Sequence, residues 1–142
     1  MLTTKTGQPG REASRRLAAI RVLVVEDDIS VRRVMEETFA EAGYDVDAVE
    51  SVEQGLKLIQ SREFDIVVAD GRLEDGTGME IADAAWEKDI PTLVVTAFAF
   101  DLLREKRNLA SYNIVQKPIR PSQLMSAVTA LLKLRGISTA TR

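Results

Sequence analysis

Neither cysteine nor histidine occurs in the 142 residues. Without cysteine there is no disulfide framework, no thiolate metal site and no thiol nucleophile. Without histidine, serine–histidine catalysis and imidazole ligation of a metal are excluded as well. Any metal the chain takes must therefore be a hard cation held by oxygen. No run of about 18 apolar residues is present, so no segment is predicted to span a membrane. Charge of neither sign dominates: the formal net charge is −3, which predicts no direct nucleic-acid partner. Lys5, Arg11, Arg15 and Arg16 are not followed by an apolar stretch, so no signal peptide is expected and the expected location is the cytoplasm.

What is present suits one domain with a single core. Residues 1–18 are polar and carry Gly7, Pro9 and Gly10. They are expected to form a mobile tail, with one helical turn near Ser14–Ala19. The domain proper is expected over 19–136, with a second short tail over 137–142. Arg21–Val25 reads as a buried strand, ending on Glu26-Asp27-Asp28. Val31, Val34, Met35, Phe39 and Ala42 then recur at helical spacing, and Gly43 closes that helix. Tyr44–Val49 alternates as an edge strand, and Ser51-Val52-Glu53-Gln54 has the spacing of a capping box. The helix it opens places Val52, Leu56 and Ile59 on one face.

Phe64–Asp70 is an unalternating apolar run that ends on a carboxylate, as expected of a strand buried on both faces. A glycine-containing loop and a short helix follow, with Met79, Ala82 and Trp86 predicted inward. Pro91–Thr96 is a fourth strand, a weakly patterned helix runs from about Phe100 to Asn108, and Tyr112–Gln116 is a fifth strand ending on Lys117-Pro118. Pro121 opens a last helix carrying Leu124, Val128, Leu131 and Leu132, stopped by Gly136. Five β-α steps predict an α/β fold, a doubly wound parallel sheet with helices on both faces.

Glu26, Asp27, Asp70, Thr96 and Lys117 each end or directly follow a separate apolar run. In a parallel sheet those ends share one edge, where α/β folds bind ligands. Taken singly, each residue has an ordinary explanation: Asp70 as a turn residue or helix cap, Thr96 as a buried hydroxyl, Lys117 as a surface charge, and Asp28 as the cap of the first helix. Together they describe a site. Crowded carboxylates repel one another, and a divalent cation, Mg²⁺ or Ca²⁺, relieves the repulsion. A carboxylate, Mg²⁺ and a lysine around one small space suit phosphoryl transfer.

At this point the chain resembles the receiver domain of bacterial two-component response regulators, over about Arg21 to Arg135. The matching motifs are Val-Val-Glu-Asp-Asp at the first strand, Asp70 with Leu73 and Gly78 after it, Thr96-Ala97 and Lys117-Pro118. The resemblance implies a flavodoxin-like sheet of order 2-1-3-4-5. It implies Asp70 as phosphoacceptor, with Mg²⁺ held by Asp27, Asp70 and the Arg72 backbone carbonyl, and by Glu26 through water. Thr96, Ala97 and Lys117 would receive the phosphoryl group, and Pro118 would follow a cis peptide bond. In the family a strand-five aromatic swings as Thr96 moves. Here that position is Ile114, so Tyr112 and Phe98 are further switch candidates. Glu74 stands where the family usually has proline.

The implied protein is a single-domain receiver, not an enzyme on a separate substrate, though self-catalysed phosphorylation and dephosphorylation fit the type. Its partners would be a sensor histidine kinase or histidine phosphotransfer protein and an unidentified downstream protein. A homodimer through the face of the fourth helix, fifth strand and fifth helix is a further expectation. So few residues follow Gly136 that no output domain is expected. One alternative is an interaction module of the same fold that never carries phosphate. Another is an aspartyl-phosphate phosphatase of the haloacid-dehalogenase type, which wants an aspartate two residues after the nucleophile, where this chain has Arg72.

Overall fold

Successive residues of a strand point to opposite sides, and the apolar runs of this chain use that to bury both faces of one sheet. A computed structural model describes residues 19–101 and 113–137. The strands of its main sheet are β1 (Arg21–Val25), β2 (Asp45–Val49), β3 (Ile66–Asp70), β4 (Thr92–Thr96) and β5 (Asn113–Gln116), all parallel, in the order β2-β1-β3-β4-β5. This is the flavodoxin-like order. The helices are α1 (Ile29–Glu41), α2 (Val52–Ser61) and α3 (Gly78–Trp86), then the helical residues 99–101 (α4), and α5 (Pro121–Leu134). The expected N-terminal tail 1–18, the body of the helix expected up to Asn108, Tyr112 and the C-terminal residues from 138 lie outside the described residues. Among the described residues, no helix is long and apolar enough to cross a membrane.

The two faces of the sheet make two cores. Val22, Val24, Ile66, Val68, Leu93 and Val95 meet Met35 and Phe39 of α1 and Leu124, Val128 and Leu132 of α5. Leu23, Val25, Val67 and Ala69 meet Val52 and Ile59 of α2 and Ile81 and Ala85 of α3. Phe39, Ile59, Ile66, Ile81 and Leu132 are fully buried, each contributing about 1.5–3 kcal/mol through the apolar surface it withdraws from water. These residues are the main drive for folding. Edge strand β2 carries Asp45 and Asp47 instead, and Asp47 pairs with Arg62 at 2.9 Å, which blunts the edge against pairing with another chain.

Two side chains expected inward face solvent. Val34 is half exposed, because the inward stripe of α1 runs through Val31, Met35, Phe39 and Ala42 and leaves Val34 to one side. Trp86 is 70% exposed. The buried arc of α3 is Gly78, Met79, Ile81, Ala82 and Ala85, and Trp86, the last residue of this nine-residue helix, overhangs its end.

Caps fix the helix ends. Asp28 accepts from the Ser30 and Val31 N–H groups and starts α1. Gly43 and Gly136, both at positive φ, follow the C-caps of α1 and α5 as expected. Ser51 accepts from Gln54 N–H, but the Gln54 side chain reaches one residue further back than a capping box requires, to Glu50 N–H. The decisive cap of α2 comes from across the molecule. Asp75 accepts from Val52 N–H at 2.9 Å and from Glu53 N–H at 3.0 Å. At the other end of α2, Lys88 Nζ donates to the carbonyls of Ile59 and Gln60, a cation on the negative end of the helix dipole.

Asp75 is positioned by a small antiparallel ribbon, Arg72–Leu73 with Gly76–Thr77, turning at Glu74-Asp75. The ribbon leads straight into Gly78, whose missing side chain is required: a Cβ there would overlap the carbonyl oxygen of Asp70. Gly78 N–H also donates to the Gly71 carbonyl at 3.0 Å. The start of α3 is thereby pressed against the end of β3.

Two outcomes follow for stability. Gly78→Ala is expected to destabilise by about 2 kcal/mol, since the methyl group must displace backbone; denaturant midpoints measure this. Hydrogen bonds from Val52 and Glu53 hold the Asp75 carboxyl below its ordinary value of 3.8. A depressed folded-state pKa gives stability that is present above the unfolded value and lost as pH falls through the folded one. The melting-temperature advantage of wild type over Asp75→Asn should therefore be constant from pH 7 down to about pH 5 and close below pH 3.8. A gap independent of pH would mean the charge on Asp75 is immaterial.

Candidate functional site

Register places the charged residues. Val25 of β1 pairs with Ala69 of β3, so the next residue of each chain segment, Glu26 and Asp70, stands at the same level of the sheet edge. Asp70 pairs with Val95, and Thr96 with Gln116, which puts Thr96 one level out and Lys117 just beyond it. Lys117 N–H donates to the Thr96 carbonyl at 2.8 Å, and the Lys117–Pro118 bond is cis, as expected.

From there the lysine turns back over the strand ends. Its Nζ lies 2.9 Å from Glu26 Oε1 and 3.3 Å from Asp70 Oδ2. The Glu26 side chain is 1% exposed and that of Asp70 12%. The second oxygen of each carboxylate also has a donor. Glu26 Oε2 accepts from Asp28 N–H at 3.1 Å, and Asp70 Oδ1 from Arg72 N–H at 3.3 Å. Arg32 reaches back from α1 to the Glu26 carbonyl at 2.9 Å, pinning the turn between β1 and α1. Asp27 is more open than Glu26, beside a cleft of about 330 Å³ that is also lined by Glu50, Ser51, Gln54, Glu74 and Asp75. One carboxylate oxygen from each of Glu26, Asp27 and Asp70 lies within 4.8 Å of the others.

The electrostatics follow from burial and pairing. Burial pushes the Glu26 carboxyl up to about 7, with the nearby Asp70 charge adding to it, while the Lys117 and Asp28 hydrogen bonds pull the other way. For Lys117 burial works against the charge, but Glu26 and Asp70 outweigh it and hold the ammonium above its ordinary value. Lys117 is therefore a permanent cation facing an excess of carboxylate. An all-oxygen, net-negative set of this kind fits Mg²⁺.

Thr96 is fully buried at the end of β4, and its hydroxyl accepts from Phe98 N–H at 3.0 Å. Ala97 is exposed. Phe98 is half exposed, with the Arg72 guanidinium 4.9 Å from its ring centre and the same guanidinium 3.8 Å from Asp101. Ile114 points into the fold, against Met79, Ala82 and Val94. Tyr112, the third switch candidate, lies outside the described residues. Two participants escaped the sequence reading. Arg72 was expected through its carbonyl alone, yet its N–H meets Asp70 and its side chain covers Phe98. The residue pattern marks Gln116 only as the end of a strand, yet its amide holds the loop after Thr96. Its position directly before the lysine was the one available signal.

The Asp70 carboxylate, with an ammonium on one oxygen and a peptide N–H on the other, is held in a single orientation close to the carboxylate oxygens of Glu26 and Asp27. Comparison with known proteins shows the family. The sequence model described as the response regulator receiver domain matches residues 22–129. A probable transcriptional regulator, ycf27, of Cyanophora paradoxa is 31% identical over 80% of this chain and 48% of its own length. The chain spans only 27% to 51% of the curated relatives it matches. Among solved structures, a response regulator receiver protein from Sinorhizobium medicae is 27% identical with a TM-score of 0.75, covering 84% of this chain and 98% of its own. The response regulator TrrA of Thermotoga maritima, solved in complex with Mg²⁺-BeF, is 28% identical with a TM-score of 0.70, over 79% of this chain and 98% of its own. The family match runs from β1 into α5 and so contains Glu26, Asp27, Asp70, Thr96 and Lys117, and the chain belongs to the family of response regulator receiver domains.

Proposed function

We propose that this receiver domain accepts a phosphoryl group on Asp70 from the phosphohistidine of a sensor histidine kinase or histidine phosphotransfer protein. The observation that carries this reading is Lys117 Nζ seated between Glu26 and Asp70. In the transfer an Asp70 carboxylate oxygen attacks phosphorus and the donor's P–N bond breaks. The bonding pair leaves with the imidazole, which takes up a proton. The chain's 142 residues contain no histidine to act as donor.

Asp27 and Asp70, with the Arg72 carbonyl, would hold Mg²⁺ directly, and Glu26 through water. Exposure supports placing Asp27 ahead of Glu26, whose side chain is 1% exposed. Both Glu26 side-chain oxygens already have protein donors, whereas Asp27 faces the open cleft. When bound, the metal supplies positive charge to the phosphoryl oxygens. Lys117 holds Asp70 in place and supplies a second positive charge. The Thr96 hydroxyl, accepting from Phe98, keeps its own proton free to donate. Exposed Ala97 leaves room beside it. The protein is then a phosphoacceptor rather than an enzyme acting on a separate substrate.

The signalling face would combine α4, β5 and α5 and engage a downstream protein or a second copy of the chain. Ile114 is β-branched and stiff and packs inward, so it is a poor swinging reporter. Phe98, half exposed under Arg72, supports a reporter role better, and a role for Tyr112 stays part of the proposal.

With Mg²⁺ and acetyl phosphate, intact-mass measurement should show one phosphoryl addition on wild type and none on Asp70→Ala. A phosphorylated Asp70→Ala protein would sink the assignment. Isothermal titration of Mg²⁺ should show Asp27→Asn weakened by roughly tenfold more than Glu26→Gln, because a direct ligand costs more to lose than one acting through water. Equal weakening would contradict the ranking.

A further inference from the structure

One primary amide joins the two sides of the site. Gln116 Nε2 donates to the Ala97 carbonyl at 2.9 Å and to the Lys117 carbonyl at 3.2 Å. Its Oε1 accepts from Ala99 N–H at 3.2 Å. All three partners are backbone groups, two carbonyls and one N–H, so they fix which end of the amide is oxygen.

Thr96 carries the next link. Its hydroxyl takes Phe98 N–H, so the Ala97 carbonyl, Phe98 N–H and Ala99 N–H are all held by the side chains of two residues in register across β4 and β5. Ala99 is buried, but the two residues before it are open, Ala97 exposed and Phe98 half exposed. The position of Ala97 and Phe98 is therefore set by these hydrogen bonds more than by packing. The same Gln116 amide grips the carbonyl of Lys117, the residue whose ammonium meets Glu26 and Asp70.

We infer that Gln116 is a positioning residue for the phosphoryl site: it fixes the loop 97–99 relative to Lys117, so that the Thr96 hydroxyl, Ala97 and the lysine present one preformed cradle to a tetrahedral anion on Asp70. This rests on Asp70 being the phosphoacceptor. The metal side of the site, Asp27 and Glu26, lies on β1 and its loop and makes no contact with Gln116 among the hydrogen bonds described. Loss of the Gln116 amide should therefore weaken anion binding and spare metal binding. A general loosening of the fold would weaken both.

The test uses Gln116→Ala and Gln116→Met, the second keeping the length and bulk of the side chain without donor or acceptor. Beryllofluoride is titrated calorimetrically into each protein saturated with Mg²⁺, and Mg²⁺ is titrated alone. Both variants should bind beryllofluoride roughly five- to tenfold more weakly than wild type, the loss expected for hydrogen bonds of this kind, with Mg²⁺ affinity held within about twofold. The inference is overturned if either variant binds beryllofluoride as wild type does, or if Mg²⁺ affinity falls in the same proportion. If wild type itself fails to bind beryllofluoride, the Asp70 reading falls and takes this one with it. Wild-type binding with unaffected variants removes Gln116 alone.

Discussion

The Lys117 ammonium between Glu26 and Asp70 is the contact on which the rest of the site depends. Register in a parallel sheet brings Glu26 and Asp70 to the same level on neighbouring strands, where two carboxylates shielded from water repel each other. A cation between them relieves that repulsion, and breaking one partner from such a buried pair costs about 3–5 kcal/mol, because a charge is left uncompensated. The fold supplies the cation from the end of β5, with β3 and β4 lying between it and the strand that leads to Glu26. Lys117 alone does not balance the set, since Asp27 adds a third carboxylate. That residual negative charge suits a divalent cation.

Around that contact the chain has placed backbone where side chains would not fit or would not hold. Gly78 lets α3 start against the Asp70 carbonyl, and Arg72 N–H fixes the free oxygen of Asp70. The ribbon between them delivers Asp75 to the start of α2. The loop that follows Asp70 is thus tied at one end to the site and at the other to the opposite core. The loop after Thr96 is tied by Thr96 and Gln116. The site is held by hydrogen bonds to loop backbone, and the sheet beneath it by apolar packing.

That division explains what could be read from the residues. Apolar runs such as Val22–Val25 and Ile66–Ala69 announce strands buried on both faces, and their polar terminators, Glu26, Asp70, Thr96 and Lys117, announce a shared edge. Each of those depends only on local pattern and on the rule that parallel strands end together. Trp86 and Val34 were misplaced because helical spacing marks a stripe but not its margins, and the ends of a short helix overhang the core. The contacts of Asp75, Lys88 and Gln116 were illegible for a different reason. Each is a side chain meeting the backbone of a distant segment, and backbone partners leave no signature in the residue sequence. Asp75 and Val52 are joined only once the ribbon folds over α2.

The central claim, that the carboxylate held by Lys117 is the one that carries phosphate, is open to direct chemical test. An acyl phosphate on aspartate is reduced by borohydride to homoserine, whereas a phosphate ester on serine or threonine is not. After incubation with acetyl phosphate and Mg²⁺, reduction and peptide mass spectrometry should find homoserine at position 70 and at no other aspartate. Homoserine at Asp27 or Asp75, or phosphate recovered only as a borohydride-resistant ester, would contradict the account.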